Sequence, residues 1–241
     1  MQWKDALYDY QMYLKLEKRV SVNTIEGYLR DIQKLINYSD KQPLDYTQDD
    51  ITAFIHNFAS SEYSIRSQAR VISGLKSFFG YLQLEDFRED NPTTLLETPK
   101  IGMKLPDVLS EKEIDKMIEV IDLSKPEGQR NRAIIEVLYG CGLRVSELIN
   151  LKISDLFFDD GFIRVIGKGN KQRLVPISDY TIKYINLYKD TIRQQIQIYP
   201  DFEDFLFLNR RGKNLTRVMI FTIVKELSII AGVKKTISPH T

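Results

Sequence analysis

The chain has 241 residues, of which 43% are hydrophobic and 11% aromatic, a composition that supports extensive hydrophobic cores and excludes a disordered chain. Its single cysteine excludes a disulfide framework, and neither an apolar run of about 18 residues nor a signal peptide is present, so we expect a cytoplasmic protein with no membrane partner. The formal net charge is +1, with −3 on residues 1–100 and +4 on residues 101–241, so any contact with nucleic acid would depend on local basic clusters.

Residues 1–90 carry apolar side chains at helical spacing in four successive segments. The first segment begins at Trp3 and the fourth near Ile65, while Ser21 and Thr47 are plausible N-caps of the second and third. Each segment has one apolar face, as expected of helices that pack around a common core. We therefore predict an all-helical domain of four helices over residues 1–90.

A second domain is predicted after a linker at 91–106, which holds three prolines, one glycine and no sustained apolar period. A capping box at 110–113 then predicts a helix start, so we place this domain at 107–241. The runs 162–166 and 173–177 are rich in β-forming residues and are joined by a glycine-containing turn. They predict a hairpin within a mixed α+β domain that has a small antiparallel sheet.

The rest of the second domain is predicted to be mainly helical. A long helix is expected from Ile182 to Ile196, followed by a short apolar run at 205–208 and a final helix capped by Thr216. The Ser-Pro pair at 238–239 is a typical cap and first residue of another helix, but only two residues follow it. We therefore expect the sequence to be a piece of a longer protein.

Arg144 comes directly after a strongly apolar helical segment and the turn 140–142, which reads Gly-Cys-Gly. Glycines at that place end the helix and allow backbones to approach closely. A guanidinium held between two helices suits a phosphate or a carboxylate, because its donors form a planar fork. Two interpretations therefore stand side by side: an anion-binding arginine, or an internal salt bridge to Glu147. We interpret Cys141 as a small buried residue and not as a nucleophile.

Basic residues concentrate in three places outside that turn. Residues 163–173 contain four basic residues and no acidic one, and Lys168 lies between two glycines at the predicted hairpin tip. Such clusters would meet DNA phosphates, although ordinary solvated surfaces remain the alternative. The candidate DNA-binding residues are Arg66, Arg70 and Lys76 on the fourth helix, Arg164, Lys171 and Arg173 on the hairpin, and Arg210, Arg211 and Arg217 before the last helix. No metal-ligand spacing or nucleotide fingerprint is present, so we expect no metal, no cofactor and no small-molecule substrate.

Three motifs in order resemble the tyrosine recombinase, or phage-integrase, family, and most closely its Xer-type site-specific recombinases. They are Gly-Leu-Arg144-Val-Ser-Glu-Leu, Val-Ile-Gly-Lys168-Gly-Asn-Lys-Gln-Arg-Leu-Val-Pro and Ser-Pro-His240-Thr. The resemblance covers the whole chain. It implies a SAM-like core-binding domain that clamps double-stranded DNA, followed by a tyrosine-recombinase catalytic domain. It also implies strand exchange through a 3′-phosphotyrosyl intermediate and a Holliday junction, by a homo- or hetero-tetramer at the bacterial nucleoid.

The resemblance also implies a role for each matching residue. Arg144 would bind the non-bridging oxygens of the scissile phosphate, and Lys168 would protonate the departing 5′-oxygen. His240 would hydrogen-bond the phosphate or assist proton transfer, and Glu147 would orient Arg144. These roles suit a phosphoryl transfer without a metal, which needs fixed cations on the phosphate oxygens and a proton for the leaving group.

The sequence departs from the family pattern at its end. The family's second arginine, its later histidine or tryptophan and its nucleophilic tyrosine have no match here, and none of the 13 tyrosines lies in that motif. We therefore expect these 241 residues to bind DNA weakly or partially and not to cleave it, and we do not expect them to build a tetramer. The alternatives are a short non-catalytic DNA-binding relative that occupies or regulates recombination sites, and a helical interaction module that never contacts DNA.

Overall fold

The structure is a computed structural model in which the chain divides into two compact units, Met1–Lys104 and Leu105–Thr241. The described residues are 1–61, 63–100, 102, 107–235 and 237, and the side chain of Lys168 is outside this set. Among the helices of these residues, none is both long enough and apolar enough to cross a membrane.

The described residues of the first unit form four helices, as the apolar spacing predicts. They are α1 (Trp3–Leu16), α2 (Val22–Tyr38), α3 (Gln48–Ser60) and α4 (Ile65–Leu84). Ser21 and Thr47 cap α2 and α3, because each side-chain oxygen accepts a hydrogen bond from the backbone N–H three residues further on. The prediction of an all-helical first domain is confirmed.

Aromatic side chains fill the core of the first unit. Tyr10, Phe78 and Phe79 are fully buried, and the ring centroids of Tyr10 and Phe78 lie 5.3 Å apart in an edge-on arrangement. The Tyr10 hydroxyl donates a hydrogen bond of 2.7 Å to Oγ of Ser77, which satisfies its polar end inside the core. Thr93 is also buried, so the chain just beyond α4 still packs on this unit.

The described residues of the second unit combine helices with a small sheet. Its elements are α5 (Glu111–Glu119), α6 (Pro126–Gly140), α7 (Val145–Ile149), β1 (Leu156–Phe157), β2 (Phe162–Ile166), β3 (Gln172–Pro176), α8 (Asp179–Leu187) and α9 (Arg217–Ile230). The strands form an antiparallel sheet in the order β1-β2-β3, with Val165 opposite Arg173. The predicted hairpin and the mixed α+β fold are confirmed. β1 was not predicted, since its two residues are too few to show an alternating pattern.

The helix predicted from Ile182 to Ile196 is not a single α-helix. α8 ends at Leu187, a wide π-helical turn occupies Tyr188–Ile192, and a 3-10 turn follows. Tyr188 is buried there and its hydroxyl accepts a hydrogen bond of 3.1 Å from the Leu208 N–H. These tertiary contacts accompany the change of helical pitch, which the apolar spacing alone does not reveal.

Candidate phosphate-binding site

The end of α6 places Arg144 at the surface between two buried neighbours. The helix ends at Gly140, and Gly142 adopts a φ of +58°, which is favourable for glycine. Leu143 and Val145 then anchor the chain in the core, while the side chain of Arg144 is 63% exposed. Arg144 is therefore the N-cap of α7, held by its neighbours and open to solvent.

Glu147 is the buried carboxylate that holds Arg144. Its side chain is only 2% exposed. Oε2 accepts a hydrogen bond of 2.8 Å from the Arg144 backbone N–H, and Oε1 accepts one of 3.0 Å from Nη1 of Arg144. The salt bridge between Arg144 and Glu147 is therefore present, and it leaves most of the Arg144 side chain exposed.

A second arginine binds the same carboxylate. Nη1 and Nη2 of Arg173 donate hydrogen bonds of 2.6 and 2.9 Å to Oε1 and Oε2 of Glu147. This bidentate contact is the main cause that lowers the pKa of Glu147 to about 2, with the backbone and side-chain hydrogen bonds from Arg144 adding to it. Glu147 is therefore ionised at neutral pH, and the three side chains carry a net charge of about +1.

The loop between β2 and β3 adjoins this cluster. A methyl group added to Gly167 would lie 3.3 Å from Oε1 of Glu147 and 3.4 Å from Nη1 of Arg173, so only a hydrogen atom fits comfortably there. The Gly167 N–H donates a hydrogen bond of 2.8 Å to the Lys171 carbonyl and closes the loop. The hairpin loop and the arginine turn, which lie apart in sequence, therefore meet at Glu147.

Two predicted site residues cannot be placed. His240 and the side chain of Lys168 lie outside the described residues. The backbone of Lys168 is described, and it begins the 3-10 turn Lys168–Asn170 that follows Gly167. Its main chain is thus directly next to the residue that packs against Glu147.

Four of the predicted DNA-binding arginines bind carboxylates of the protein itself. Arg173 binds Glu147, as described above. The other three pairs are Arg70 with Asp31 at 2.7 Å, Arg164 with Asp155 at 2.7 Å, and Arg210 with Glu127. Asp31 and Asp155 are buried, so Arg70 and Arg164 compensate acids of the interior and have less charge to offer a ligand.

The other five predicted DNA-binding residues form no ion pair with any described residue. They are Arg66 and Lys76 on α4, Lys171 just before β3, Arg211 in the turn that precedes α9, and Arg217 at the start of α9. All but Lys76 are exposed, and Lys76 is partly so. Their charges remain available for phosphates, and their contact with DNA stays a prediction.

Apart from the pairing of Arg144 with Glu147, the contacts between these cations and buried carboxylates were not predicted from the sequence. Asp31, Asp155 and Glu147 are all buried, yet their partners lie between 3 and 39 residues away along the chain. Among these four pairs, only that of Arg144 and Glu147 can be recognised from local sequence. The two residues have the three-residue spacing of an N-cap and an acid at the third position of the helix. The other pairs arise from the packing of strands and helices.

The fold of the chain is that of site-specific DNA recombinases of known structure. The chain aligns over 97% of its length with the XerH site-specific recombinase bound to difH substrate, with a TM-score of 0.72, 21% identity and 70% of that chain covered. It aligns over its whole length with a lambda integrase (75–356) dimer bound to a COC′ core site, with a TM-score of 0.75, 17% identity and 86% covered. At such identities the likeness establishes the fold alone.

The chain belongs to the phage integrase family. Residues 107–241 match the family model of that name, and residues 7–86 match the N-terminal SAM-like domain of phage integrases. Over 237 residues the chain is 37% identical to the tyrosine recombinase XerD of Staphylococcus haemolyticus and 38% identical to that of Staphylococcus aureus. Each alignment spans 97% of this chain and 80% of the relative. The resemblance based on the three motifs is thereby confirmed.

Proposed function

We propose that this chain binds double-stranded DNA as part of a site-specific recombinase that cuts and rejoins strands. One observation carries the proposal: Glu147 holds Arg144 at the surface, next to the hairpin loop, in a cluster with one positive charge in excess. A fixed, exposed guanidinium of this kind can bind two oxygens of a phosphate. Membership of the phage integrase family supplies the substrate class.

The proposed reaction transfers one phosphodiester. A tyrosine oxygen attacks the phosphorus, the bond from phosphorus to the 5′-oxygen breaks, and a 3′-phosphotyrosyl link forms. Arg144 stabilises the charge that develops on the non-bridging oxygens, and Lys168 gives its proton to the departing 5′-oxygen. His240 hydrogen-bonds the phosphate or assists the transfer of the proton that the attacking tyrosine hydroxyl loses. Reversal of the step with a second strand leads through a Holliday junction, and the proposal calls for no cofactor.

We further propose that these 241 residues do not themselves supply the nucleophile. Tyr188 is buried, and its hydroxyl is engaged by the Leu208 N–H. The Tyr180 hydroxyl accepts a hydrogen bond of 2.7 Å from Nη2 of Arg132, and the pKa of Tyr180 is raised, chiefly by a hydrogen bond with Tyr184. Neither hydroxyl has the surroundings of an activated tyrosine, for which a lowered pKa would be expected.

Assembly and location belong to the same proposal. A lambda integrase tetramer bound to a Holliday junction shares this fold, with a TM-score of 0.75 and 17% identity. We propose that the recombinase to which this chain belongs acts as a homo- or hetero-tetramer on DNA at the nucleoid of a bacterial cell.

The test is a selection of bound duplexes from a library with a randomised core of about 30 base pairs, a length that spans about three helical turns. The selected duplex is then titrated with the protein at several salt concentrations. The proposal expects saturable binding that weakens as salt rises, and no covalent protein–DNA adduct on denaturing gels. Failure to enrich or retain any duplex at low salt would contradict DNA binding, and a covalent adduct would contradict the missing nucleophile.

A further inference from the structure

We propose that Arg173 is a positioning residue: it occupies the Glu147 carboxylate so that Arg144 keeps a positive charge for the phosphate, and it does not contact DNA itself. The inference rests on the proposed function, since it assigns Arg144 to a DNA phosphate. It departs from the sequence analysis, which counts Arg173 among the residues that bind DNA.

The geometry of the hydrogen bonds supports this division of roles. Arg173 uses its terminal nitrogens Nη1 and Nη2 on the two oxygens of Glu147, at 2.6 and 2.9 Å. Arg144 contacts the same carboxylate through one side-chain nitrogen at 3.0 Å and through its backbone N–H. The guanidinium of Arg173 is therefore engaged through its fork, whereas that of Arg144 retains a free edge and is the more exposed of the two, at 63% against 39%.

Charge balance gives the reason that two arginines are needed. A carboxylate as buried as Glu147 is costly to leave unpaired, so it must take a cation. If Arg173 were absent, Arg144 would be the remaining partner within the cluster, and the pair would be neutral. With Arg173 present, Glu147 is compensated from the sheet side, and the cluster of Arg144, Arg173 and Glu147 retains one positive charge that can attract a phosphate.

The position of Arg173 also connects two parts of the second unit. Arg173 lies on β3 opposite Val165, whereas Glu147 lies on α7, and Gly167 of the intervening loop packs against both side chains. The ion pair therefore fixes the strand that leads from the Lys168 loop against the helix that carries Arg144. Substitution of Arg173 should alter how Arg144 presents its guanidinium even though Arg173 reaches no ligand.

The experiment measures which DNA phosphate each arginine senses. Duplexes obtained by the selection above are prepared with a neutral methylphosphonate at one linkage at a time, and affinities are measured for wild type, Arg144→Ala, Arg173→Gln and the double variant Glu147→Gln/Arg173→Gln. At one linkage, the neutral methylphosphonate should lower the DNA affinity of wild type but not that of Arg144→Ala. That linkage identifies the phosphate that Arg144 binds. Lys125→Gln is the matched control, because it removes one cation from an ion pair with Asp122 just before the start of α6, at the end of that helix away from Arg144.

The proposal expects Arg173→Gln to weaken binding about 10-fold and to abolish the effect of neutralising that linkage. It expects Glu147→Gln/Arg173→Gln, which restores the charge balance, to recover part of the affinity that Arg173→Gln loses and to be weakened by neutralisation of the same linkage as wild type. Thermal unfolding checks that each variant is folded. If Arg173→Gln does not fold, the double variant alone tests the proposal. The proposal then requires that the same methylphosphonate linkage lowers the DNA affinity of the double variant and of wild type.

Three results would overturn the proposal. One is wild-type affinity for Arg173→Gln, and another is a folded double variant that binds as weakly as Arg173→Gln. The third is the discovery of another linkage at which the methylphosphonate lowers the DNA affinity of wild type but not that of the double variant. That pattern would identify a direct contact between Arg173 and DNA. Absence of duplex binding by wild type would instead contradict the proposed function, so the two failures are distinguishable.

Discussion

Asp31, fully buried on α2, lies 2.7 Å from Nη1 of Arg70 on α4. Lys34 approaches the other carboxylate oxygen to 3.0 Å, so two cations at the surface share one acid in the interior. Glu147 is arranged in the same way between Arg144 and Arg173. In both units a buried carboxylate thus fixes the direction of long basic side chains and leaves one positive charge in excess.

Arg70→Ala should destabilise the first unit by about 3 kcal/mol, because it leaves the buried Asp31 with only Lys34. Urea unfolding of the full chain, followed by circular dichroism, measures this change. Arg66→Ala is the control, since Arg66 is exposed on the same helix and should change stability by less than about 0.5 kcal/mol. Equal effects of the two substitutions would show that the Asp31 contact contributes nothing.

Arg66 and Lys76 should each contact one DNA phosphate. Replacement of either by alanine should reduce the slope of log affinity against log salt by about 0.9, because one fewer counterion is released on binding. Fluorescence anisotropy with the selected duplex between low and moderate salt gives the slope. Lys4→Ala removes an exposed cation from α1, outside the predicted face, and should leave the slope unchanged. A slope equal to that of wild type for Arg66→Ala and Lys76→Ala would exclude the α4 face from the interface.

Acid should remove the stabilisation that Glu147 provides. Arg173, followed by Arg144, lowers the pKa of Glu147 from its ordinary 4.5 to about 2 in the folded protein. The ionised form therefore stabilises the fold by about 3 kcal/mol above about pH 5, and this contribution disappears as the pH falls through about 2. The difference in unfolding free energy between wild type and Glu147→Gln should accordingly be largest near neutral pH and shrink between about pH 4.5 and 2.

Urea unfolding at a series of pH values tests this dependence. Asp159→Asn, which alters an exposed carboxylate between β1 and β2, serves as the control and should show a small difference that varies little with pH. A Glu147→Gln difference that stays constant down to about pH 2 would mean that Arg173 and Arg144 do not hold the carboxylate as described.

Local features of the fold were predictable from the sequence because their causes are local. Thr47 and Ser110 cap helices through side chains that reach only three residues, and the end of α6 follows from the glycines around Cys141. Cys141 is buried as interpreted, and burial raises the pKa of its thiol to about 11, so it is a poor nucleophile at neutral pH.

Long-range pairings could not be predicted in this way. Arg173 lies 26 residues from Glu147 along the chain. Its side chain is on the side of β3 that faces α7, and a shift of one residue in the register of the hairpin would place it on the opposite side. The same holds for Arg70, whose acid is on another helix. A basic residue beside a hairpin turn looks equally suited to DNA or to an internal acid until the packing of the sheet is known.

Gly212 and Gly232 should respond very differently to alanine, although both have a φ of +69°. A methyl group on Gly212 would collide with the backbone carbonyl of Gln197, so Gly212→Ala should destabilise the second unit by about 3 kcal/mol or more. No atom of the described residues lies within 4 Å of a methyl group at Gly232, where only the left-handed backbone costs about 1 kcal/mol. Thermal unfolding compares the two, and similar losses would contradict the close approach of the two loops at Gly212.

Arg144 is proposed to bind one particular phosphate of the DNA backbone. The most direct test is the affinity of wild type and Arg144→Ala for the selected duplex, measured with the natural phosphate and with a methylphosphonate at each linkage in turn. We predict a single linkage at which the methylphosphonate lowers the DNA affinity of wild type by about 10-fold and leaves the affinity of Arg144→Ala unchanged. If the effects of Arg144→Ala and of the methylphosphonate on the binding free energy are additive at every linkage, Arg144 does not bind a particular phosphate.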